Sequence, residues 1–222
     1  MRIAIAVLAL AWLLPAAAGA QAVTDQSMMV NRALTTVERL RSVPDMEESI
    51  AQLLPRARGA LIVPDLVKGG FLLGAQYGTG VLLVRDRDGR WSGPAFYSVA
   101  AGSFGLQIGL QDAEAFYIIM TDGGLDAVVN NQFKAGASAG VAVTVVGAGA
   151  EAATTTHAGA DIYAFSRAVG LYGGLTLDGA GILPRHSWNA AYYGGNPTPR
   201  QILFEHAVES PQADRLRGSL TP

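Results

Sequence analysis

The chain has 222 residues, of which 27 are glycine, 50% are apolar and 15% are charged, a composition that excludes a disordered or coiled-coil chain. The formal net charge of −2 leaves no basic excess to neutralise a nucleic-acid backbone, so nucleic acid is not an expected partner. Cysteine is absent, which removes disulfides and a lipid-carrying N-terminal cysteine from consideration.

Met1 and Arg2 precede an apolar run from Ile3 to Leu14, followed by Pro15 and a small-residue tract ending Ala18-Gly19-Ala20. A charged start, a short apolar stretch and small residues at a cleavage position are the order of a secretory signal. The run is stopped by its proline well short of the ~20 apolar residues of a membrane-spanning helix. Residues 1–20 are therefore expected to be a signal peptide cleaved between Ala20 and Gln21, with the mature chain in the periplasm or secreted. Loss of Arg2 would make the net charge one unit more negative than −2.

No glycine occurs from Gln21 to Arg58, and every later glycine lies at Gly59 or beyond. The glycine-free part, residues 21–57, reads as helical. Val30, Ala33, Leu34, Val37 and Leu40 recur at three- and four-residue steps, with Arg32, Thr36 and Arg39 on the other side, which predicts an amphipathic helix. After Pro44, the capping-box spacing of Asp45 and Glu48 and the stripe of Met46, Ile50, Leu53 and Leu54 predict a second helix. Residues 58–210 then read as a glycine-rich β domain, and residues 211–222 as a tail.

Short extended runs are predicted at Ala60 to Val63, Phe71 to Tyr77, Val81 to Asp86, Phe96 to Val99, Ser103 to Gln111, Ala115 to Thr121, Ala135 to Val146, Ile162 to Arg167 and Leu171 to Asp178. Asp88-Gly89 supplies a hairpin turn, and short helices fit Leu125 to Asn131 and Pro199 to Val208. In the run from Ser103, Phe104, Leu106, Ile108 and Leu110 alternate with small and polar residues. The expected fold is α+β: a curved antiparallel β-sheet forming a small barrel or sandwich, covered by the N-terminal helices and by short later ones.

Two motifs invite an enzyme reading. The strand Val141 to Val146 leads into Gly147-Ala148-Gly149-Ala150-Glu151-Ala152, but the following Thr154-Thr155-Thr156-His157 is poor helix sequence and Asp161 comes too early for a ribose acid. No nucleotide cofactor is expected. Ala101-Gly102-Ser103-Phe104-Gly105 approaches a serine-hydrolase elbow, with Asp126 and Asp161 preceding His186 and His206 in the right chain order. The residues after Ser103 alternate as a strand, where an elbow needs a sharp strand-to-helix turn, so a Ser103 hydrolase stands as an alternative only. Its three histidines have no ligand-type spacing and Asp86-Arg87-Asp88-Gly89 is an incomplete calcium loop, so no metal site is expected.

Several blocks occur in a characteristic order. They are Arg58-Gly59-Ala60-Leu61-Ile62-Val63-Pro64, Lys68-Gly69-Gly70-Phe71, Tyr77-Gly78-Thr79-Gly80, Trp91-Ser92-Gly93-Pro94-Ala95-Phe96, Gly102-Ser103-Phe104-Gly105, Ile162-Tyr163-Ala164-Phe165-Ser166-Arg167, and Asn189-Ala190-Ala191-Tyr192-Tyr193-Gly194. In this order and spacing, from about Arg56 to His206, the chain resembles the SYLF lipid-binding domain family. The resemblance implies a non-catalytic protein that binds membrane lipids. Among eukaryotic members it also implies phosphoinositide ligands and, in some, actin; the export signal argues against both here. Asp178 stands where the resemblance leads one to expect a glutamate before Gly179.

A lipid-binding surface needs apolar groups that enter the acyl boundary and cations that meet the phosphates above them. Arg56, Arg58, Lys68, Gly69, Gly70, Phe71 and Leu72 offer both, since the glycines let backbone N–H groups approach an anion beside apolar side chains. An anionic phospholipid or membrane surface is the expected partner. The helix bearing Arg32 and Arg39 is a second place, although its stripe has the spacing of core packing. The other alternative is a structural or assembly protein of the cell envelope, built on Trp188, Tyr192, Tyr193 and the glycine-rich strands. In its outer-membrane barrel form it is opposed by Phe116-Tyr117-Ile118-Ile119-Met120, which is apolar on both faces and suits a strand covered twice.

Overall fold

The computed structural model describes residues 24–70, 73–104, 109–131, 143–146, 159–168 and 180–221. Helix α1, Asp25–Arg41, starts where the Thr24 hydroxyl accepts the Ser27 N–H at 3.2 Å. It carries Asp25 in its first turn and Arg39 and Arg41 in its last, each sign complementing the helix dipole. Its predicted stripe is buried, from Met29 and Val30 to Val37 and Leu40. Helix α2, Pro44–Leu53, begins one residue before the expected capping box. Pro44 occupies the first turn, where its missing N–H costs nothing, and Val43 at the N-cap makes no side-chain bond.

Among the described residues seven strands follow: β1 Gly59–Gly70, β2 Leu73–Val84, β3 Ala95–Phe104, β4 Gly109–Ile119, β5 Val143–Val146, β6 Ile162–Ala168 and β7 Gly181–Pro184. They form one sheet in the order β5-β6-β4-β1-β2-β3-β7. All neighbours are antiparallel except β5 and β6, which pair in parallel. Of the barrel or sandwich expected, the described residues form a single open sheet with β5 and β7 at its edges. Helix α3, Asp122–Val129, follows β4; α4, His186–Tyr193, α5, Pro199–Leu203, and α6, Asp214–Ser219, follow β7. Thr198 and Gln201 cap α5 reciprocally. The segment read as a tail therefore contains a helix, and α6 buries Leu216 against the core shared with α1.

The sheet is covered on both faces. Ala60, Ile62, Val81, Leu83, Phe96, Phe116, Ile118 and Phe165 pack with the stripes of α1, α2 and α6. Leu61, Val63, Leu82, Tyr97, Tyr117 and Ile119 pack on the other side with α3 and α5. The run Phe116 to Ile119 is thus the doubly covered strand that its composition predicts.

Boundaries differ from the sequence reading in several places: β1 runs to Gly70 where Ala60 to Val63 is expected, α3 spans Asp122–Val129 and not Leu125 to Asn131, α5 ends at Leu203 and not Val208, and β7 and α4 have no counterpart among the expected elements. The run Leu171 to Asp178 and residues 135–142 lie outside the described residues. The predicted runs Phe71 to Tyr77 and Val81 to Asp86 are parts of a single β2, because Gly78 and Gly80 are strand residues at a close approach and not a break. A Cβ at Gly80 would lie 2.2 Å from the Ile62 carbonyl oxygen, and one at Gly78 would lie 2.8 Å from that of Asp65. The predicted run Ser103 to Gln111 begins in β3 and ends in β4, which pair with different neighbours; residues 105–108 lie outside the described residues. Alternation continues through both strands, so period two alone does not mark where one stops.

The close approach at Gly78 and Gly80 faces a bulge in β1. Between Ile62 and Asp65 β1 advances three residues while β2 advances two, and it does the same against β4 between Val63 and Leu66. Pro64, with no N–H to give a ladder, lies inside this extra residue. One extra residue reverses which side chains face which way. Leu61 and Val63 before the bulge and Leu66 after it share one face, so Asp65 and Val67 fall on the face that carries α1.

Candidate functional site

Lys68, Gly69 and Gly70 are the last residues of β1. Lys68 is opposite Gln76 of β2 and Gln111 of β4, Gly69 opposite Ala75 and Leu110, and Gly70 opposite Gly74 and Gly109. A strand paired on both sides gives its N–H groups to its neighbours. These glycines are therefore strand, not the open anion-binding loop expected from the sequence. Phe71 and Leu72, outside the described residues, link Gly70 to Leu73.

Arg56 and Arg58 lie at the opposite end of the sheet. Arg56 is exposed in the short turn Leu54–Arg56, and Arg58 immediately precedes β1. The Arg58 Nε donates to Asp122 Oδ1 at 2.7 Å. Ten residues of strand separate Arg58 from Lys68, about 30 Å along the chain at ~3.3 Å per residue. The seven predicted site residues thus divide into two groups that cannot meet one head group together.

Beside the Lys68 end the structure exposes apolar side chains that sequence reasoning did not single out. Val67 is 45% exposed and pairs directly with Tyr77, 54% exposed. On the next row Thr79, Ser98 and Leu183 lie side by side across β2, β3 and β7, and Leu183 is 53% exposed. The alternation of each strand puts Val67, Tyr77 and Leu183 on the face that carries α1, beyond the part that the helices bury. Only the bulge at Pro64 sends Val67 there. No sequence periodicity signals it, because the extra residue resets the period.

The basic residues of α1 are committed. Arg32 Nη1 meets Asp65 Oδ2 at 2.6 Å and Arg39 Nη1 meets Glu114 Oε1 at 2.6 Å, while the apolar stripe of the helix is core. These exposed pairs fix the helix against β1 and β4, each at modest net worth.

A cleft of about 390 Å³ opens at the Arg58 end. Arg58, Arg85 and Arg87 line it together with Asp86, Asp122, Asp126 and His206. His206 Nε2 lies 3.6 Å from Asp86 Oδ2. Burial works to raise the Asp86 pKa, but the Arg90 backbone N–H and the Arg90 charge outweigh it and hold the carboxyl below its ordinary value. Asp126 and His206 are thus at the cleft, next to Val84, whereas Ser103 pairs with Gly74, ten residues along β2. At about 30 Å apart they form no catalytic triad. Ser103 also lies within β3, not at a strand-to-helix turn. Gly147 to Ala152 lie outside the described residues. Among the described residues, no helix is long and apolar enough to cross a membrane.

The family described as "Ysc84: Las17-binding protein actin regulator" matches residues 100–221. LAS seventeen-binding protein 3 of Saccharomyces cerevisiae is 32% identical over 170 residues, covering 74% of this chain and 36% of that protein. Protein YSC84 of the same organism is 30% identical over 167 residues. The human SH3 domain-containing YSC84-like protein 1 is 27% identical over 167 residues, covering 75% of this chain and 48% of the relative. The chain spans between about a third and a half of the length of these relatives.

Proposed function

The chain belongs to the Ysc84 family, the SYLF domain family, and from that premise we propose that it is a non-catalytic binding protein that contacts anionic membrane lipid. The contact surface is the end of the sheet formed by the C-terminal end of β1 and the N-terminal end of β2, with Val67, Lys68 and Tyr77, to which Phe71 and Leu72 belong by sequence. One observation carries this reading: Val67 and Tyr77 are adjacent and about half exposed at the end of the strand that also bears Lys68. Apolar side chains held on a sheet enter the acyl boundary with little ordering cost, and a cation carried at the same end of the sheet meets the phosphates. Arg56 and Arg58 belong to a different surface and have no part in this contact.

Family members are named as binding or regulator proteins, which agrees with a role in binding. Las17 is named for a yeast protein about twice this chain's length, and actin in the family description. We place lipid ahead of them because the first 20 residues have the order of an export signal, which directs the mature chain, from Gln21, to the periplasm or beyond. Co-sedimentation with actin filaments that equals or exceeds binding to anionic vesicles would reverse that order.

The test is co-sedimentation of the purified chain with phosphatidylglycerol-containing vesicles. Lys68→Glu is expected to weaken binding by more than fivefold, since each cation near the surface contributes ~1 kcal/mol. Phe71→Ser is expected to weaken it without changing the salt dependence, because it removes insertion and leaves the Coulomb attraction. Folded variants that both bind like the wild type would remove this end of the sheet from the site.

A further inference from the structure

Arg185 occupies the border of the exposed strip. It immediately follows β7 and serves as the N-cap of α4 without capping it through its side chain. Its guanidinium carbon lies 3.7 Å over the centroid of the Trp188 ring, and Nη1 donates to Thr79 Oγ1 at 3.0 Å. Trp188 is itself fixed edge-on against Phe96 at 5.8 Å. Among the described residues no carboxylate pairs with Arg185, whereas Arg32, Arg39, Arg58, Arg90, Arg200 and Arg217 each have one. A guanidinium has five donors in a rigid fork suited to phosphate, and stacking it on an aromatic ring settles its orientation in advance.

Hydroxyls converge beside it. Tyr77 Oη lies 3.3 Å from Ser98 Oγ, and Thr79 stands directly opposite Ser98 across β2 and β3. Hydrogen bonds with Ser98 and then Thr79 draw the Tyr77 phenol below its ordinary pKa; burial opposes them, and the Arg185 charge adds to the lowering. The nearby carboxylates are Asp65, opposite Thr79 but held by Arg32 at 2.6 Å, and Asp112, opposite Val67. Val67, Tyr77 and Leu183 flank the group with exposed apolar surface.

We propose that Arg185, Tyr77, Thr79 and Ser98 form a notch that takes the phosphate group of a membrane phospholipid, with Leu183 and Val67 entering the acyl boundary on either side. The proposal rests on the membrane-contact reading and assigns its head-group contact to residues separate from Lys68. The guanidinium supplies paired N–H donors to the phosphate oxygens and the hydroxyls supply further ones, while the two apolar side chains select a phosphate at a membrane surface over a free one.

The experiment has two arms, both on the purified chain. In the first, binding to phosphatidylcholine vesicles with and without phosphatidylglycerol is measured for the wild type, Arg185→Gln, Tyr77→Phe and Leu183→Ser. Arg185→Gln is expected to bind the anionic vesicles about fivefold more weakly, with a shallower salt dependence. Tyr77→Phe, which keeps the ring and is conservative enough to preserve the fold, is expected to bind more weakly at unchanged salt dependence. Leu183→Ser is expected to lose binding at low and high salt alike. In the second arm, soluble glycerol phosphate is titrated into nitrogen-15-labelled chain, and the Arg185 Nε–H and Trp188 indole N–H signals are expected to shift in the wild type. The Trp188 signal should no longer respond in Arg185→Gln. Vesicle binding equal to wild type in Arg185→Gln and Tyr77→Phe would overturn the notch and leave the membrane reading in place. No signal shift with glycerol phosphate would overturn the phosphate assignment. Signal shifts without any vesicle binding would overturn both the lipid as the source and the membrane reading.

Discussion

Replacing Gly80 by alanine is expected to be among the most destabilising single-methyl additions in the chain. The new Cβ would lie 2.2 Å from the Ile62 carbonyl oxygen, 2.9 Å from Val63 Cγ2 and 3.0 Å from the Ile62 carbonyl carbon. The nearest atom belongs to the backbone of β1, which is paired on its other side with β4, so the strand cannot retreat without breaking a second ladder. Overpacking of this kind costs about 1–3 kcal/mol, and an obstacle made of backbone places Gly80→Ala at the upper end, about 3 kcal/mol. For a chain of this size that lowers Tm by about 6–12 °C. Gly123→Ala is the control. Its Cβ meets nothing nearer than 3.9 Å, and in α3 it exchanges glycine for the best helix former, so it should raise stability by about 0.5–1 kcal/mol. Thermal unfolding followed by circular dichroism measures both. If Gly80→Ala melts within about 2 °C of the wild type, less than the shift for 1 kcal/mol, the bulge at Pro64 is not packed as described. The exposure of Val67, which depends on that bulge, would then lose its basis.

Asn189 is fully buried and its Oδ1 accepts the Phe96 N–H at 2.8 Å, so Asn189→Ala should cost about 1–3 kcal/mol in chemical denaturation by leaving that donor unsatisfied. The Tyr117 hydroxyl is buried with no partner among the described residues, and burial pushes its pKa up; Tyr117→Phe should leave Tm unchanged or raise it, and a clear fall would reveal an unseen partner. Asp86 has a lowered folded pKa, so its contribution is fully present above the ordinary aspartate value near 4 and is lost as pH falls through the lower folded value. Asp86→Asn should therefore lower Tm at neutral pH, and the gap to wild type should close on acidification; a gap that stays constant with pH would contradict the shift.

The helices of the N-terminal segment were legible because an apolar stripe at period 3.6 is a local signal, and the stripe suffices for α1 and α2. The double burial of Phe116 to Ile119 was legible for the same reason, since a run apolar on both faces has few other homes. What could not be read depends on partners distant in sequence. The glycines of Tyr77-Gly78-Thr79-Gly80 look like an interruption until the β1 bulge that presses on them is known. Arg58 and Lys68 look like one basic cluster until a twelve-residue strand carries them to opposite ends. Arg185 meets Thr79 across 106 positions of chain, and its lack of a carboxylate is a property of the folded surface alone. Helix α6 escaped notice because its one buried apolar side chain, Leu216, makes too short a stripe to register as periodic.

Contact with anionic membrane lipid is decided by the behaviour of the wild-type chain on two kinds of vesicle. Phosphatidylcholine vesicles with and without phosphatidylglycerol are spun with the purified chain in dilute buffer and in about 1 M salt, where the screening length falls to ~3 Å. Strong co-sedimentation with the anionic vesicles in dilute buffer is expected, with marked loss in high salt and weak residual binding to the neutral vesicles from apolar insertion. Equal binding to both vesicle types at both salt concentrations, or none to either, would contradict it.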